Sequence, residues 1–434
     1  MLARRLGVPP QHLLRNLALG LCIALALPAQ PPVPPGSAYQ NGLAALSRND
    51  LAAARDLLER ASGQQASDPR VWLALAQTYR GLKLEKEMGA ALARVERLAE
   101  KHPSALHALS LFHGEKGDWT KAADYEARYA ERNPEDREAF ARAAALYLDA
   151  GQPAKAIDIA TRGLNLEKRA DLHNLLGKAY EAIGQPDQAI LALQEAIRLR
   201  PYDESYYYDL AQVLLVHQNF EVAVTVLESA RKTFDKSPQL ELALGVAYYG
   251  QRRFGDAVSA FLRTTALAPD LPQPYIFLGR ILNQSEDRLP EITERFAAYA
   301  RAHPENALAA FLYAKALAAQ LPPSGFPPQA QQAESLLRKS IELKDDHWET
   351  HYELGLLLER KRDLEGAAQA LERSSRLNPK ASQPHYRLAR VYERLGKKAE
   401  AEAERKIHEQ LAEEEKTTLR RQAAATKRLE LTIK

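Results

Sequence analysis

Cysteine is nearly absent from this sequence of 434 residues, in which Cys22 is the only one. A disulfide bond needs two cysteines, and a thiolate catalyst or a cysteine-bound zinc site needs at least one in the folded protein. Because Cys22 falls in a segment that we predict to be removed, we expect a mature chain with no disulfide, no cysteine nucleophile and no cysteine-bound metal.

An excess of charge of either sign is also missing. The formal net charge is +3. Arg4, Arg5 and Arg15 account for it, since the rest of the chain holds 56 basic and 56 acidic side chains. A nucleic-acid-binding protein normally carries a basic patch. The balance, with charges of alternating sign along the chain, predicts solvated helices and no nucleic-acid partner.

The sequence lacks the common catalytic and metal-binding motifs. It has no G-x-x-x-x-G-K-[ST], no G-x-S-x-G and no H-E-x-x-H. His347 and His351 stand four residues apart, but Trp348 occupies the place where a zinc protease needs glutamate. His173, His351 and His385 recur at one place in three copies of the repeat described below, which favours packing over metal binding. We therefore predict no enzyme activity, no cofactor and no metal site.

The N-terminus differs from the rest of the chain. Arg4, Arg5 and Arg15 precede an apolar run from Leu17 to Leu27, and small residues follow it. This order is typical of a secretory signal peptide, and the run is shorter than the ~20 residues that span a bilayer. We predict a signal peptide over residues 1–29 and a proline-rich spacer over 30–36. The protein is then exported, periplasmic or extracellular, with no membrane span after cleavage; an uncleaved amphipathic anchor is the alternative.

One pattern recurs about eleven times with a period of about 34 residues. In each copy a small residue follows a leucine, a tyrosine or similar residue comes three positions later, and small residues then precede a proline. The clearest copy covers residues 170–201, and two others begin at Pro238 and Trp348. The signature residues of these three copies are Gly177, Tyr180, Ala189, Pro201, Gly245, Tyr248, Ala257, Gly355 and Ala367.

Each copy predicts two amphipathic helices. In the copy over residues 170–201, apolar residues recur at spacings of three and four on both sides of the turn Gly184-Gln185-Pro186. Gly177 and Ala189 are small, which suits a close approach between the two helices. A single pair cannot bury its apolar face, so successive pairs must stack into one core.

This pattern resembles the tetratricopeptide repeat. The resemblance implies an all-α fold, a right-handed superhelical solenoid of about eleven helix-turn-helix repeats with a C-terminal capping helix. We assign residues 37–409 to the solenoid and 410–434 to a charged helical tail. Such repeats build binding surfaces, so the resemblance also implies a protein or peptide ligand.

In tetratricopeptide proteins the first helices of successive repeats line a concave groove. The residues that line it are the second, fifth, ninth and twelfth of each repeat, and they predict a ligand groove over about residues 205–283. The alternative is that the aromatic residues of this stretch pack between neighbouring helix pairs. The predicted groove residues are Tyr208, Gln212, Leu215, Leu242, Val246, Tyr249, Ile276 and Arg280. The same places further along hold Asn283, Tyr352, Leu356 and Glu359.

Two local features complete the sequence. Asn174 and Lys178 are isolated fragments of the carboxylate clamp of this family; the rest of the clamp is missing, which disfavours a chaperone adaptor. The ninth repeat carries a proline-rich insertion from Leu321 to Pro328. We expect this loop to be extended, with Phe326 exposed near its tip.

Together these features predict a non-enzymatic protein-binding scaffold or assembly factor of the cell envelope. An accessory repeat subunit of a glycosyltransferase or protease complex, or a glycan-binding solenoid, are the alternatives. The ligand and the oligomeric state stay open.

Overall fold

The computed structural model describes residues 36–432, with side chains up to residue 418. The predicted signal peptide, residues 1–29, lies outside the described residues, as does the spacer up to residue 35. Export therefore stays a prediction.

The described part of the chain, residues 36–432, consists of 22 α-helices joined by short turns, with no strand. Successive helices pair, so that eleven helix-turn-helix pairs follow one another. This confirms the all-α repeat fold expected from the sequence. Contacts between helices divide the chain into two compact units, one up to Phe234 and the other from Asp235 onward.

The first unit contains six helix pairs. Its helices are α1 (Ala38–Ser47), α2 (Leu51–Gln64), α3 (Pro69–Gly81), α4 (Glu85–Leu98), α5 (Ser104–Glu115), α6 (Trp119–Arg132), α7 (Ala139–Asp149), α8 (Pro153–Leu166), α9 (Ala170–Ala182), α10 (Pro186–Leu199), α11 (Glu204–Val216) and α12 (Phe220–Thr233).

The second unit contains five pairs. Its helices are α13 (Pro238–Gly250), α14 (Phe254–Leu267), α15 (Pro272–Arg280), α16 (Leu289–Ala302), α17 (Ala307–Ala319), α18 (Pro328–Leu343), α19 (Trp348–Lys361), α20 (Leu364–Leu377), α21 (Ser382–Arg394) and α22 (Lys398–Thr432). Two short 3-10 helices, Leu282–Gln284 and Glu286–Arg288, lie between α15 and α16.

The turns inside the pairs follow from local chemistry. The second helix of several pairs begins after an aspartate whose carboxylate accepts a hydrogen bond from a first-turn amide, as Asp118 does from Lys121 and Asp363 from Gly366. The residue that ends the first helix needs a left-handed backbone, and Gly184 adopts it at φ 74°. Arg362 holds the same place at φ 68° without being glycine.

Small residues let the two helices of a pair approach closely. A Cβ on Gly177 would lie 2.8 Å from Leu193 Cδ2 and 3.2 Å from the carbonyl oxygen of Ala189. A Cβ on Gly245 would lie 2.5 Å from Phe261 Cε1, so side chains of the facing helix fill the space at both glycines. Among the other signature residues, Ala189, Tyr248, Ala257, Gly355 and Ala367 are buried, Tyr180 is half-buried and Pro201 is exposed.

The last helix is longer than the others. Helix α22 packs on α21 and runs without a break from Lys398 to Thr432. The expected boundary between residues 409 and 410 therefore lies inside this helix. The charged tail continues the second helix of the eleventh pair.

Candidate functional site

A cavity of about 580 Å³ lies in the second unit, on the face formed by the first helices of its later pairs. We call it the first-helix cavity. Helices α17, α19 and α21 form its walls, together with the 3-10 helix after α15 and the start of the proline-rich loop. Its lining residues are Leu282, Asn283, Lys315, Ala318, Ala319, Leu321, Tyr352, Glu353, Leu356, Leu357, Glu359, Arg360, Arg387 and Arg394.

The cavity lies beside an interruption of the repeat. Helix α15 has nine residues, whereas α13 and α17 each have thirteen. After Arg280 the chain continues as two 3-10 helices. A short 3-10 stretch in place of regular α-helix often marks a functional hinge or a strained sequence. Leu282 and Asn283 therefore reach the cavity from a 3-10 helix, while the small side chains of Ala318 and Ala319 leave room on the facing helix.

Cations outnumber carboxylates on the cavity wall. Glu359 is the best-paired carboxylate, since its oxygens lie 2.9 Å from Arg394 Nη1 and 3.9 Å from Arg387 Nη1. Lys315 lies 5.7 Å from the ring centroid of Phe311 and forms no ion pair with the described residues. The wall thus offers positive charge that its own carboxylates do not neutralise.

Glu353 contributes an unusual carboxyl group to the wall. It is half-buried and has no hydrogen-bonding partner among the described side chains. Burial raises its pKa, and the nearby Glu349 adds to this effect, while the positive charges of Lys315 and Arg387 oppose it. Glu349 behaves differently, because a hydrogen bond from His347 lowers its pKa. The environment therefore disfavours the charged form of Glu353.

The proline-rich loop lies against the end of α19. Arg360 Nε donates a hydrogen bond of 2.7 Å to the carbonyl oxygen of Gly325, and a second guanidinium nitrogen donates to that of Pro322. The ammonium group of Lys361 lies 5.5 Å from the ring centroid of Phe326, which is half-buried. The expectation of an exposed Phe326 was wrong, because the loop folds back onto its own unit.

The groove residues predicted in the first unit lie on α11. Tyr208, Gln212 and Leu215 are all half-buried, while Tyr206 beside them is buried. Burial raises the pKa of Tyr208, with a smaller contribution from Asp209. These three side chains remain available at the surface, and their role as ligand contacts stays a prediction.

The groove residues predicted in the second unit lie on α13 and α15, outside the first-helix cavity. Leu242, Val246 and Ile276 are half-buried and Arg280 is exposed. Tyr249 packs edge-on against Phe254 and Phe277, with ring centroids 6.0 and 5.8 Å apart. Tyr249 therefore takes part in packing between neighbouring pairs, and ligand binding by this set stays a prediction as well.

Four residues that the family positions assigned to the groove do line the cavity, namely Asn283, Tyr352, Leu356 and Glu359. Lys315 stands at the ninth place of the repeat that begins at Ala307, but the sequence prediction did not carry the groove places over to this repeat. It also missed Glu353, Arg360 and Arg387, which stand directly after the expected places. The clustering of basic residues near the ends of these first helices was the available signal.

The two clamp-like residues of the first unit are already paired. Asn174 Nδ2 donates a hydrogen bond of 2.8 Å to Asp209 Oδ2, and Lys178 Nζ lies 2.8 Å from the same oxygen. A carboxylate of the next repeat therefore occupies the position that a ligand carboxylate would take.

Two further histidines lie beside carboxylates. His351 Nε2 lies 2.8 Å from Asp345 Oδ1, and His385 Nδ1 lies 2.5 Å from Glu404 Oε2. Within the described residues, no group of three or more histidine, cysteine, aspartate or glutamate side chains is placed to hold a metal ion. Across the same part of the chain, every helix is too short or too polar to cross a bilayer.

Comparison with known families identifies the repeat. Two models of the tetratricopeptide repeat match, one at residues 208–272, 325–382 and 352–407 and the other at residues 170–213. The chain therefore carries tetratricopeptide repeats in these segments, which confirms the resemblance drawn from the sequence. A search of curated proteins finds no match.

Several solved structures are similar to this chain at low identity. Yeast Tom70 is 16% identical with a TM-score of 0.38, over 90% of this chain and 95% of its own. The Cut9–Hcn1 hetero-tetramer of APC/C is 12% identical with a TM-score of 0.41, over 92% and 96%. YrrB, described as a TPR protein with an unusual peptide-binding site, is 16% identical with a TM-score of 0.35, over 42% and 95%. These values support no conclusion about function.

Proposed function

We propose that this protein is a non-enzymatic scaffold that holds a segment of a partner protein in the first-helix cavity. The observation that carries the proposal is the lining of this cavity. Tyr352, Leu356 and Leu321 supply apolar surface, while Lys315, Arg387 and Arg394 supply positive charge around it. Apolar anchors surrounded by polar groups are typical of protein-recognition surfaces.

A peptide segment fits this site better than a substrate undergoing chemistry. The cavity adjoins the exposed side chains of Tyr386 and Arg390 on α21. These two side chains contact each other, with the Arg390 guanidinium 5.9 Å from the centroid of the tyrosine ring. Tyrosine and arginine are enriched where proteins bind one another. A bound segment can therefore extend from the cavity along α21, as peptides do when they lie along helical surfaces.

We further propose that the scaffold works in the cell envelope after export. The proposal rests on the basic and apolar order of residues 1–29, which no described residue tests. N-terminal sequencing of the native protein is expected to begin between Leu27 and Pro31. Intact Met1 on a cytoplasmic protein would contradict export and leave the binding proposal unchanged.

Peptide display against the purified mature chain tests the binding proposal. Selected peptides are expected to bind the wild type and to lose about tenfold or more in affinity for Ala319→Trp, which fills the cavity from an exposed position. Ala298→Trp is the matched control, because Ala298 is also exposed but lies on α16, outside the lining.

Two outcomes would count against the proposal. Peptides that bind both tryptophan variants equally well would place the site elsewhere on the chain. Selection that yields no peptide, together with glycan-array binding by the same protein, would favour the carbohydrate alternative.

A further inference from the structure

Arg360 is a cation whose partners are neutral. Arg360 lines the first-helix cavity, and its guanidinium donates to the carbonyl oxygens of Gly325 and Pro322 in the proline-rich loop. Among the described residues no carboxylate forms an ion pair with it. A carboxylate can pair with a guanidinium through two parallel charge-assisted hydrogen bonds and adds a full negative charge that a carbonyl oxygen lacks. A ligand carboxylate can therefore compete with the loop for Arg360.

The surroundings of Arg360 favour an anionic ligand. Within residues 36–418, Lys315 and Arg360 form no ion pair with a carboxylate, and Glu359 already binds Arg394 at 2.9 Å. Glu353 is the remaining carboxyl group on the wall. Its burial disfavours the charged form, so it opposes a ligand carboxylate less than an exposed glutamate would.

The loop is attached to the unit by few contacts. Residues 322–325 are exposed, and Arg360 donates hydrogen bonds to the carbonyl oxygens of two of them. Lys361 contacts the ring of Phe326, the next residue. Four prolines stiffen the loop, and Gly325 has a φ of 90°, a conformation that glycine adopts readily because it lacks a Cβ. Leu321, at the start of the loop, lines the cavity, so movement of the loop would enlarge the site.

We propose that the segment bound in the first-helix cavity is acidic, and that one of its carboxylates displaces the proline-rich loop from Arg360. The loop then closes the end of the empty cavity and opens when an acidic ligand binds. This inference rests on the proposed function, because it names the chemistry of the ligand and the response of the same site.

A fluorescent label on the loop tests the exchange. The label is attached to Ser324→Cys, an exposed position, in full-length protein carrying Cys22→Ser so that no other thiol is present. The probe is hexaglutamate with blocked ends, and hexaglutamine and hexalysine with blocked ends are its controls. Hexaglutamate is expected to change the fluorescence of the label, and the concentration dependence of this change is expected to match the binding curve measured by calorimetry. The affinity of the two control peptides is expected to be lower than that of hexaglutamate by about tenfold or more.

Substitution of Arg360 separates a direct role from general charge. Arg360→Gln is expected to release the label without ligand and to weaken hexaglutamate binding about tenfold or more. Arg376→Gln removes the same charge from an exposed position on α20 and is expected to leave both readouts as in the wild type.

The outcomes distinguish this inference from the proposed function. Display-selected peptides that depend on Ala319 but bind Arg360→Gln as tightly as wild type, with no change of the loop label, would overturn the exchange alone. Preference of the wild type for hexaglutamine or hexalysine over hexaglutamate would overturn the acidic class. Insensitivity of every bound peptide to Ala319→Trp would overturn the proposed function itself.

Discussion

The fifth and eighth helix pairs show two ways of packing one repeat. In the fifth, Gly177 lets α9 approach α10 closely against Leu193. In the eighth, aromatic rings fill a wider gap between α15 and α16, where Tyr275 stacks on Tyr299 with ring centroids 4.0 Å apart. The first helix of the fifth pair has thirteen residues and that of the eighth has nine.

The difference assigns separate tasks to the regular and the irregular repeats. Close packing around small residues, as at Gly177, gives a pair a dense core. The shortened α15 breaks this regularity, and the first-helix cavity lies directly after it. The interruption contributes Leu282 and Asn283 to the candidate binding site, and the first helices of the pairs that follow supply most of its lining.

The largest loss of stability is expected in the eighth pair, where aromatic rings take the place of the contact at a small residue. Phe296 is fully buried on α16, close to Tyr275 at 6.3 Å between ring centroids. Phe296→Ala leaves a cavity in the core and is expected to lower the free energy of unfolding by about 3–5 kcal/mol. Urea denaturation followed by circular dichroism measures the change. A loss below about 1 kcal/mol would mean that the eighth pair does not depend on its aromatic core.

The close contact of the fifth pair is expected to be the next most sensitive. Gly177→Leu forces α9 and α10 apart and is expected to cost about 1–3 kcal/mol, mostly within that pair and its neighbours. Gly255→Leu is the matched control, because a Cβ at Gly255 meets nothing within 4 Å. Thermal melts compare the two variants. Equal melting temperatures would contradict the account of Gly177 as a close contact.

Two predicted groove tyrosines are expected to respond differently. Tyr249→Ala removes two ring contacts, with Phe254 and Phe277, and is expected to lower stability by about 1–3 kcal/mol. Tyr208 has no such ring contacts among the described residues, so Tyr208→Ala is expected to cost less. Melts followed by circular dichroism give both values. A normal melt for both, with loss of peptide binding, would instead favour the groove predicted from the sequence.

The smallest effect concerns Glu353. Its raised pKa means that the folded state binds the proton more tightly than the unfolded state does, so the stability it contributes at low pH is lost as pH rises through the raised value. Glu353→Gln removes this dependence, and its stability advantage over wild type is expected to grow with pH. Melts across the pH range, with the exposed Glu294→Gln as control, measure it. A stability advantage of Glu353→Gln that shrinks as pH rises would contradict the upward shift of the Glu353 pKa.

Periodicity was sufficient to predict the fold. The repeat starts expected at Ala170, Pro238 and Trp348 are the first residues of α9, α13 and α19. The reason is physical, because each pair buries the same face and needs small residues at the same places. Two helices joined by a short turn can therefore be located from one copy of the pattern.

The candidate site could be predicted only in part. Tyr352, Leu356 and Glu359 stand at places that the repeat frame assigns to the groove, and they line the cavity. The frame assumes that every first helix has the same length, so it could not show that α15 ends at Arg280. It also gave no means to place Arg360 against the loop, since that contact joins residues 35 and 38 positions apart.

Hydrogen exchange of the full chain with a display-selected peptide tests the central claim most directly. The account predicts slower amide exchange in α17, α19 and α21 when the peptide binds, with α11 and α13 unchanged. These last two helices carry Tyr208 and Tyr249, so they represent the groove predicted from the sequence. Protection of α11 and α13, without protection of α19 and α21, would contradict the assignment of the binding site to the first-helix cavity.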